Sequence, residues 1–228
     1  MIITIDGPAG AGKSSAARLL ASRLGFDFLD TGAMYRAVTL AGLRAGIDLR
    51  DQEALARLLD GLRLELPPGR VVLNGEDVTE AIRTPEVTQH SGPVADSPVV
   101  RRQLGELQRS LARGRNIVCE GRDQGTVVFP DAECKFFLTA DPRERARRRQ
   151  RELAACGQAV DFEELLRAQE QRDRRDAARE LAPMVPAPDA LQLDSTALTL
   201  EQVVERMEEE VRRCTAGSPT PGTRRPPG

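Results

Sequence analysis

Eight residues near the start of the chain constrain it most. Gly7-Pro8-Ala9-Gly10-Ala11-Gly12-Lys13-Ser14 has the spacing of a phosphate-binding loop, G-x-x-x-x-G-K-S. That motif works only between a strand and a helix, and its flanks supply both. Ile2-Ile3-Thr4-Ile5 reads as a buried parallel strand. Ser15 to Leu24 reads as a helix with Ala16, Leu19, Leu20 and Leu24 on one face and Gly25 as its stop. The glycines let successive backbone N–H groups turn toward one anion, and the helix start adds partial positive charge. Lys13 is placed to reach the β- and γ-phosphates of a bound nucleotide, and the Ser14 hydroxyl to sit on Mg²⁺.

Composition sharpens this. Lys and Arg total 33, yet lysine occurs only at 13 and 135, which leaves 31 arginines. Where arginine has displaced lysine almost everywhere, the loop keeps the compact ammonium that fits between phosphates. The 228 residues suit one large α/β domain, and 40% hydrophobic residues suffice for a core. A net charge of −2 gives no general pull toward nucleic acid or membrane. No apolar run approaches the ~20 residues that span a bilayer. The chain opens directly into its first strand, so we expect no targeting segment and a cytoplasmic protein. Cys119, Cys134, Cys156 and Cys214 form no C-x-x-C, and His90 is the lone histidine, which argues for reduced thiols and against a zinc site.

Further along, Phe26 to Asp30 reads as a second strand, followed by a helix from Thr31 to about Gly46 with Met34, Val38 and Ala41 packed. Asp51 caps a helix carrying Leu55, Leu58 and Leu59. The period then changes: Leu62 to Leu66 alternates, Pro67-Pro68-Gly69 turns, and Asn74-Gly75 marks a tight hairpin ahead of a third strand with Val78. Ser97-Pro98 opens a helix that ends at Gly114, and Asn116 to Glu120 reads as a buried strand. Lys135 to Ala140 is another strand. Asp141 and Glu144 form a capping box, Gly157 ends that helix, and Asp161 opens the next. Residues 182–189 are extended, Leu191 to Asp194 is a last strand, and Thr199 with Gln202 boxes a last helix. The Pro- and Gly-rich stretch from 215 to 228 reads as a disordered tail. Strands alternating with helices predict a doubly wound, mainly parallel sheet, with ligands outside the strand carboxyl ends.

Three groups could carry chemistry. Asp30 to Arg36 sets hydroxyls and an arginine at a helix start, though a plain capped helix reads the same. Glu120-Gly121-Arg122-Asp123 follows a buried strand, as an ordinary charged turn also does. Arg172, Asp176 and Arg179 share a helix face at i, i+4, i+7; on spacing alone a solvated salt-bridged surface is the simpler account. The arginine run from 143 to 151 is half a solvated face or a mobile lid, and His90 is a surface residue.

The stretches ITIDGPAGAGKSS, LDTGAMYR, LNGEDVTEAIRTPEV, EGRDQGTVVFPDA, QRDRRDAARELAPM and LQLDST together resemble the bacterial cytidylate kinases, among the nucleoside monophosphate kinases. They run from residue 3 to about 196. The resemblance implies a P-loop kinase fold: a five-stranded mainly parallel sheet with helices on both faces, a small antiparallel insert and a helical lid. It implies one domain over 1–214, with an acceptor-binding insert at about 37–114 and a lid at about 143–160. It implies ATP on Gly7, Pro8, Ala9, Gly10, Ala11, Gly12, Lys13, Ser14 and Ser15, with Arg145, Arg148 and Arg149 from the lid, and Mg²⁺ on Ser14. The acceptor CMP or dCMP is expected on Thr31, Tyr35, Arg36, Arg101, Arg122, Asp123, Arg172, Asp176 and Arg179. Arg36, Arg122 and Arg179 are expected on phosphate, Arg101 and Asp123 on the base edge, and Arg172 and Asp176 on the ribose. Lys13, Arg122 and Arg179 would be catalytic. One position departs: the family's base-contacting serine falls on Gly92, and Ser91 beside it is the substitute. The implied enzyme is a monomer acting on small molecules.

A regulatory GTPase would need an N-K-x-D motif, which the only other lysine, in Cys134-Lys135-Phe136, does not supply. A nucleic-acid binder would need stacking platforms, but aromatic residues are 3%. A kinase for uridylate, shikimate or adenylate is the remaining competitor. Lys13→Ala is expected to lower turnover by ~10²-fold or more while the chain stays folded, read by steady-state kinetics beside circular dichroism.

Overall fold

The protein, described by a computed structural model over residues 1–155 and 157–216, is built on a parallel sheet. Its strands are β1 (Ile2–Asp6), β2 (Asp27–Asp30), β6 (Ile117–Glu120), β7 (Cys134–Thr139) and β8 (Leu191–Asp194), in the order β2-β6-β1-β7-β8. All four pairings are parallel. The helices are α1 (Lys13–Leu24), α2 (Thr31–Arg44), α3 (Gln52–Asp60), α4 (Pro85–Asp96), α5 (Pro98–Ala112), α6 (Pro142–Ala155), α7 (Phe162–Ala177) and α8 (Leu200–Ala216). A second, antiparallel sheet holds β3 (Leu64–Glu65), β4 (Val72–Leu73) and β5 (Glu76–Asp77).

One face of β1 is wholly apolar: Ile3 and Ile5 point into a core with Leu20, Phe136, Leu138, Val204 and Met207, while buried Thr4 and Asp6 lie on the other. The opposite core joins Leu29, Met34, Val38, Leu55, Val100, Leu104 and Cys119. A third cluster, with Ala37, Leu40, Leu73, Val78 and Ile82, seats the small sheet on α2. Register sets the carboxyl ends side by side, with Asp30 opposite Glu120 and Glu120 opposite Ile5. Three acids, Asp6, Asp30 and Glu120, therefore end neighbouring strands on one rim.

Local signals place most helix starts. Asp30 accepts from Ala33 N at 2.8 Å, Asp161 from Glu164 N at 2.9 Å, and Thr199 with Gln202 exchanges both bonds of a capping box. At Asp141 the expected box is half made. Its carboxylate caps Arg143 and Glu144, but the Glu144 side chain turns to Arg148 and Arg151, and the Asp141 N–H donates to Thr196 instead. Helix α4 was not legible: Ser91, Gly92 and Pro93 in its middle are poor helix formers, and the packing of Val87 and Val94 holds it. The third hairpin strand ends before Val78, whose N–H still bonds Val71 O at 2.8 Å. Helix α1 starts at Lys13 rather than Ser15, and α8 runs to Ala216, so 215 and 216 are helical. The rest of the expected tail, and Cys156, lie outside the described residues.

Gly7 is where the chain leaves β1, with φ +136°, and a Cβ there would lie 2.0 Å from the Leu138 carbonyl oxygen. Only glycine lets the loop cross β7 so closely. On the same face Met207 is wholly buried where α8 packs on α1. Met207→Ala is expected to cost about 2–5 kcal/mol, read as a lower urea midpoint with an unchanged slope.

Candidate active site

The rim of the sheet is organised from β1 outward. Asp6 accepts from Gln124 N at 2.9 Å and Gly125 N at 2.8 Å, which pins the wide turn at Gln124–Val128 beside the phosphate loop. Burial pushes the Asp6 carboxyl up to about 6, opposed in part by those two amide bonds. Lys13 is buried, and its Nζ donates to Pro8 O at 2.7 Å, closing the loop on itself. Burial first, and then the charge of Arg122, bring the ammonium down to about 7. The Ser14 hydroxyl donates to Glu120 Oε1 at 2.5 Å. Burial raises the Glu120 carboxyl, with Asp30 adding to it.

Helix α6 holds the loop from outside. Arg145 is buried and donates to Ala140 O at 3.0 Å, Ala9 O at 2.9 Å and Asp173 at 2.5 Å. Arg148 donates to Ser195 Oγ and Ser195 O, and Ser195 Oγ donates in turn to Ala11 O at 3.1 Å. Gln169 of α7 reaches the loop too: a Cβ on Gly10 would lie 3.1 Å from its Nε2. Arg149 is not brought there. It sits one residue, ~100°, further round the helix and pairs with Glu152 at 2.9 Å in solvent.

Across the rim, Asp176 gathers arginines. It is 1% exposed. Arg122 Nε lies 3.3 Å from Oδ2, Arg172 Nε 3.8 Å from Oδ2, Arg175 Nη2 3.7 Å from Oδ1, and Arg179 Nη2 2.7 Å from Oδ1. Arg179 lies two residues past the end of α7 rather than on its face as the spacing predicts, and it also donates to Asp96 at 2.6 Å, tying that turn to the end of α4. Four cations round one carboxylate leave positive charge over. Burial, then Arg122, lowers Arg172 to about 10, and the Nε atoms of Arg36 and Arg172 are buried with no hydrogen-bond partner among the described residues. A cluster of that kind is built to receive an anion.

Arg36 lies at the start of α2, where Nη2 donates to Asp30 at 3.3 Å. Thr31 Oγ1 donates to Glu120 O at 2.7 Å, so α2 and β6 are joined at the rim. Arg101 donates to Ala95 O at 2.9 Å and to Asp123 Oδ2, and its guanidinium lies 5.8 Å over the Tyr35 ring. Burial pushes the Tyr35 phenol up to about 12. The structure thus brings Lys13, Ser14, Arg36, Arg122, Arg172, Asp176 and Arg179 to one rim, with Tyr35, Arg101 and Asp123 beside them. Ser91 is committed elsewhere: its Oγ donates to Thr88 O in its own helix at 2.9 Å. The space above Gly92 is filled by Arg175, whose Nη1 would lie 2.5 Å from a Cβ there. Asp6, Glu120, Asp173 and Ser195 carry the site without having been assigned to it. Glu120 and Asp6 share a signal, each ending a buried strand before a glycine, and Asp173 and Ser195 fall within stretches that carry the resemblance.

For a divalent cation the donor set is sparse and hard. Among the described residues no three acids, cysteines or histidines are grouped so as to hold a metal ion, but Ser14 gives its proton to Glu120 and so offers its oxygen lone pairs outward. That fits an ion that keeps most of its waters and takes its other ligands from phosphate.

A sequence profile described as "Cytidylate kinase" matches residues 3–213. A cytidylate kinase of Rhodopirellula baltica is 51% identical over 218 residues, covering 96% of this chain and 95% of that protein. One of Pelotomaculum thermopropionicum is 52% identical over 220 residues, covering 94% and 96%. Among solved structures, an uncharacterized protein of Eubacterium ventriosum superposes with a TM-score of 0.51 at 11% identity over 93% of this chain and 98% of that one, a likeness of fold alone. With the rim built as described and relatives of this identity along its length, the chain belongs to the cytidylate kinase family.

Proposed function

We propose that the protein transfers the γ-phosphoryl group of ATP to CMP and dCMP, giving ADP with CDP or dCDP, in the presence of Mg²⁺. What supports this above all is the arginine ring on Asp176, set close enough to the phosphate loop that Arg122 and Arg172 both bear on Lys13. The reaction must bring two polyanions together in line, and such charge gathering is what it needs. The acceptor oxygen is a phosphate oxygen, already anionic near neutral pH, so the chain needs no general base.

In this reading the loop amides and Lys13 hold the β- and γ-phosphates. Arg36, Arg122 and Arg179 hold the acceptor phosphate, and Arg172 with Asp176 the ribose. Ser14, with Glu120 behind it, would hold Mg²⁺, which would supply charge neutralisation when bound. Arg145 serves the donor side by bracing Ala9 and Ala140, and Arg148 by bracing Ser195. We read 37–114 as the acceptor-binding insert and 143–160 as the lid that excludes water. Cytosine's amino group would donate to Asp123 Oδ1, since Arg101 holds Oδ2. Uracil presents a carbonyl there, which faces the carboxylate unfavourably. No helix among the described residues is long and apolar enough to cross a membrane. We take the enzyme to act as a cytoplasmic monomer on free nucleotides.

A coupled assay of ADP release over CMP, dCMP, UMP, AMP, GMP and shikimate tests the assignment. CMP and dCMP should lead, and a chain that turned over another acceptor better would end it. Asp123→Asn, whose amide can donate to uracil, is expected to lower kcat/KM for CMP by ~10²-fold and to narrow the CMP-to-UMP ratio. Protonation gives an independent check. Lys13 near 7 is mostly neutral above that pH in the empty loop, and triphosphate beside it favours the charged form. Nucleotide binding should therefore take up a proton at pH 8 and progressively less below pH 7. Calorimetry in buffers of different ionisation enthalpy reads this, and the uptake should vanish in Lys13→Met.

A further inference from the structure

Two cysteines far apart in the chain meet at the end of the sheet away from the site. Cys134 opens β7, 2% exposed and paired with Ile3 of β1. Cys214 lies in the last turn of α8, partly exposed, and packs on the same core cluster. Cys214 Sγ donates to Cys134 Sγ across 3.0 Å, closer than two sulfurs in ordinary contact and about 1 Å longer than a disulfide bond. We propose that Cys134 and Cys214 are an oxidation site: a hydroperoxide converts them to a reversible disulfide that pins the end of α8 to β7.

The geometry sets the order of events. Cys214 is the more exposed of the two and meets the oxidant first. Its sulfur attacks one peroxide oxygen, the O–O bond breaks, and a sulfenic acid and one alcohol (water, from hydrogen peroxide) result. The Cys134 sulfur then attacks the Cys214 sulfur, the S–S bond forms, the S–O bond breaks, and hydroxide leaves with the Cys134 proton as water. Two thiols have lost two electrons and two protons, and the hydroperoxide has become an alcohol and water. Burial, then the neighbouring sulfur, holds the Cys134 thiol well above its ordinary value.

The staple would close a loop between positions 80 apart (214 − 134), long enough to restrict the unfolded chain strongly. It joins α8 to the amino end of β7, whereas the phosphate loop and arginine ring lie at the strand carboxyl ends. Stability should change and turnover should not.

The test uses the full chain, reduced and then treated with stoichiometric hydrogen peroxide, alkylated, and mapped by mass spectrometry without reductant. The expected product is a peptide pair joining 134 to 214, two hydrogens lighter than the thiols and reversed by dithiothreitol. The melting temperature should rise by about 5 °C or more, with kcat for CMP unchanged. In Cys214→Ser, which alters a partly exposed residue, both the link and the rise should be absent. Cys134→Ala, checked for folding by its reduced melting curve, should behave the same way. A link to Cys119 or Cys156, a link between chains, over-oxidation of Cys214 without a link, or a lowered melting temperature would each overturn the proposal.

Discussion

The structure depends on how much positive charge can be gathered in a place that excludes water. Asp176 is one carboxylate, and Arg122, Arg172, Arg175 and Arg179 converge on it. Lys13 stands near Arg122 and Arg172 with Glu120 and Asp6 as its counter-charges. Buried cations left over in this way are costly, and the cost shows in the weakened basicity of Lys13 and Arg172. A polyanion relieves that strain, and the charge spread over the phosphoryl oxygens during transfer is stabilised most where the cations are fixed beforehand. Binding and catalysis draw here on one electrostatic imbalance.

That imbalance is useful only if the parts hold still. The phosphate loop is fixed from several directions by groups that share no stretch of sequence. Gly7 is pressed on Leu138 O, Ala9 is held by Arg145, Ala11 by Ser195, and the neighbouring turn by Asp6. Arg145 is the busiest of these, since it joins β7, the loop and α7 through three acceptors. Helices α6 and α7 are thereby coupled to the curve of the loop itself. An arginine that the sequence offers as a phosphate ligand serves in the structure as a brace, in a chain where arginine has taken over nearly every basic position.

The parts of this architecture that were legible in the sequence are those set by short-range chemistry. The loop, its flanking strand and helix, the caps at Asp30, Asp51, Ser97 and Asp161, and the Asn74-Gly75 hairpin all follow from residues within a few positions of one another. Helix α4 did not, because Ser91, Gly92 and Pro93 argue locally against the helix that Val87 and Val94 enforce by packing. In the site, the family resemblance pointed to residues that the structure gathers on one rim, but not to which way each side chain turns. Arg148 and Arg149 are neighbours in sequence and face a carbonyl and solvent respectively. Ser195 and Asp173 act on segments 184 and 28 residues away, so the stretches that contain them do not reveal what they hold.

The placement of Tyr35 has a practical result. The chain has no tryptophan and one tyrosine. That ring lies under Arg101, next to Asp123, with its phenol buried. Nearly all ultraviolet emission from the native protein, and its tyrosine circular dichroism, thus comes from a single chromophore beside the arginine-lined rim. Substrate capture can be watched there without any attached label.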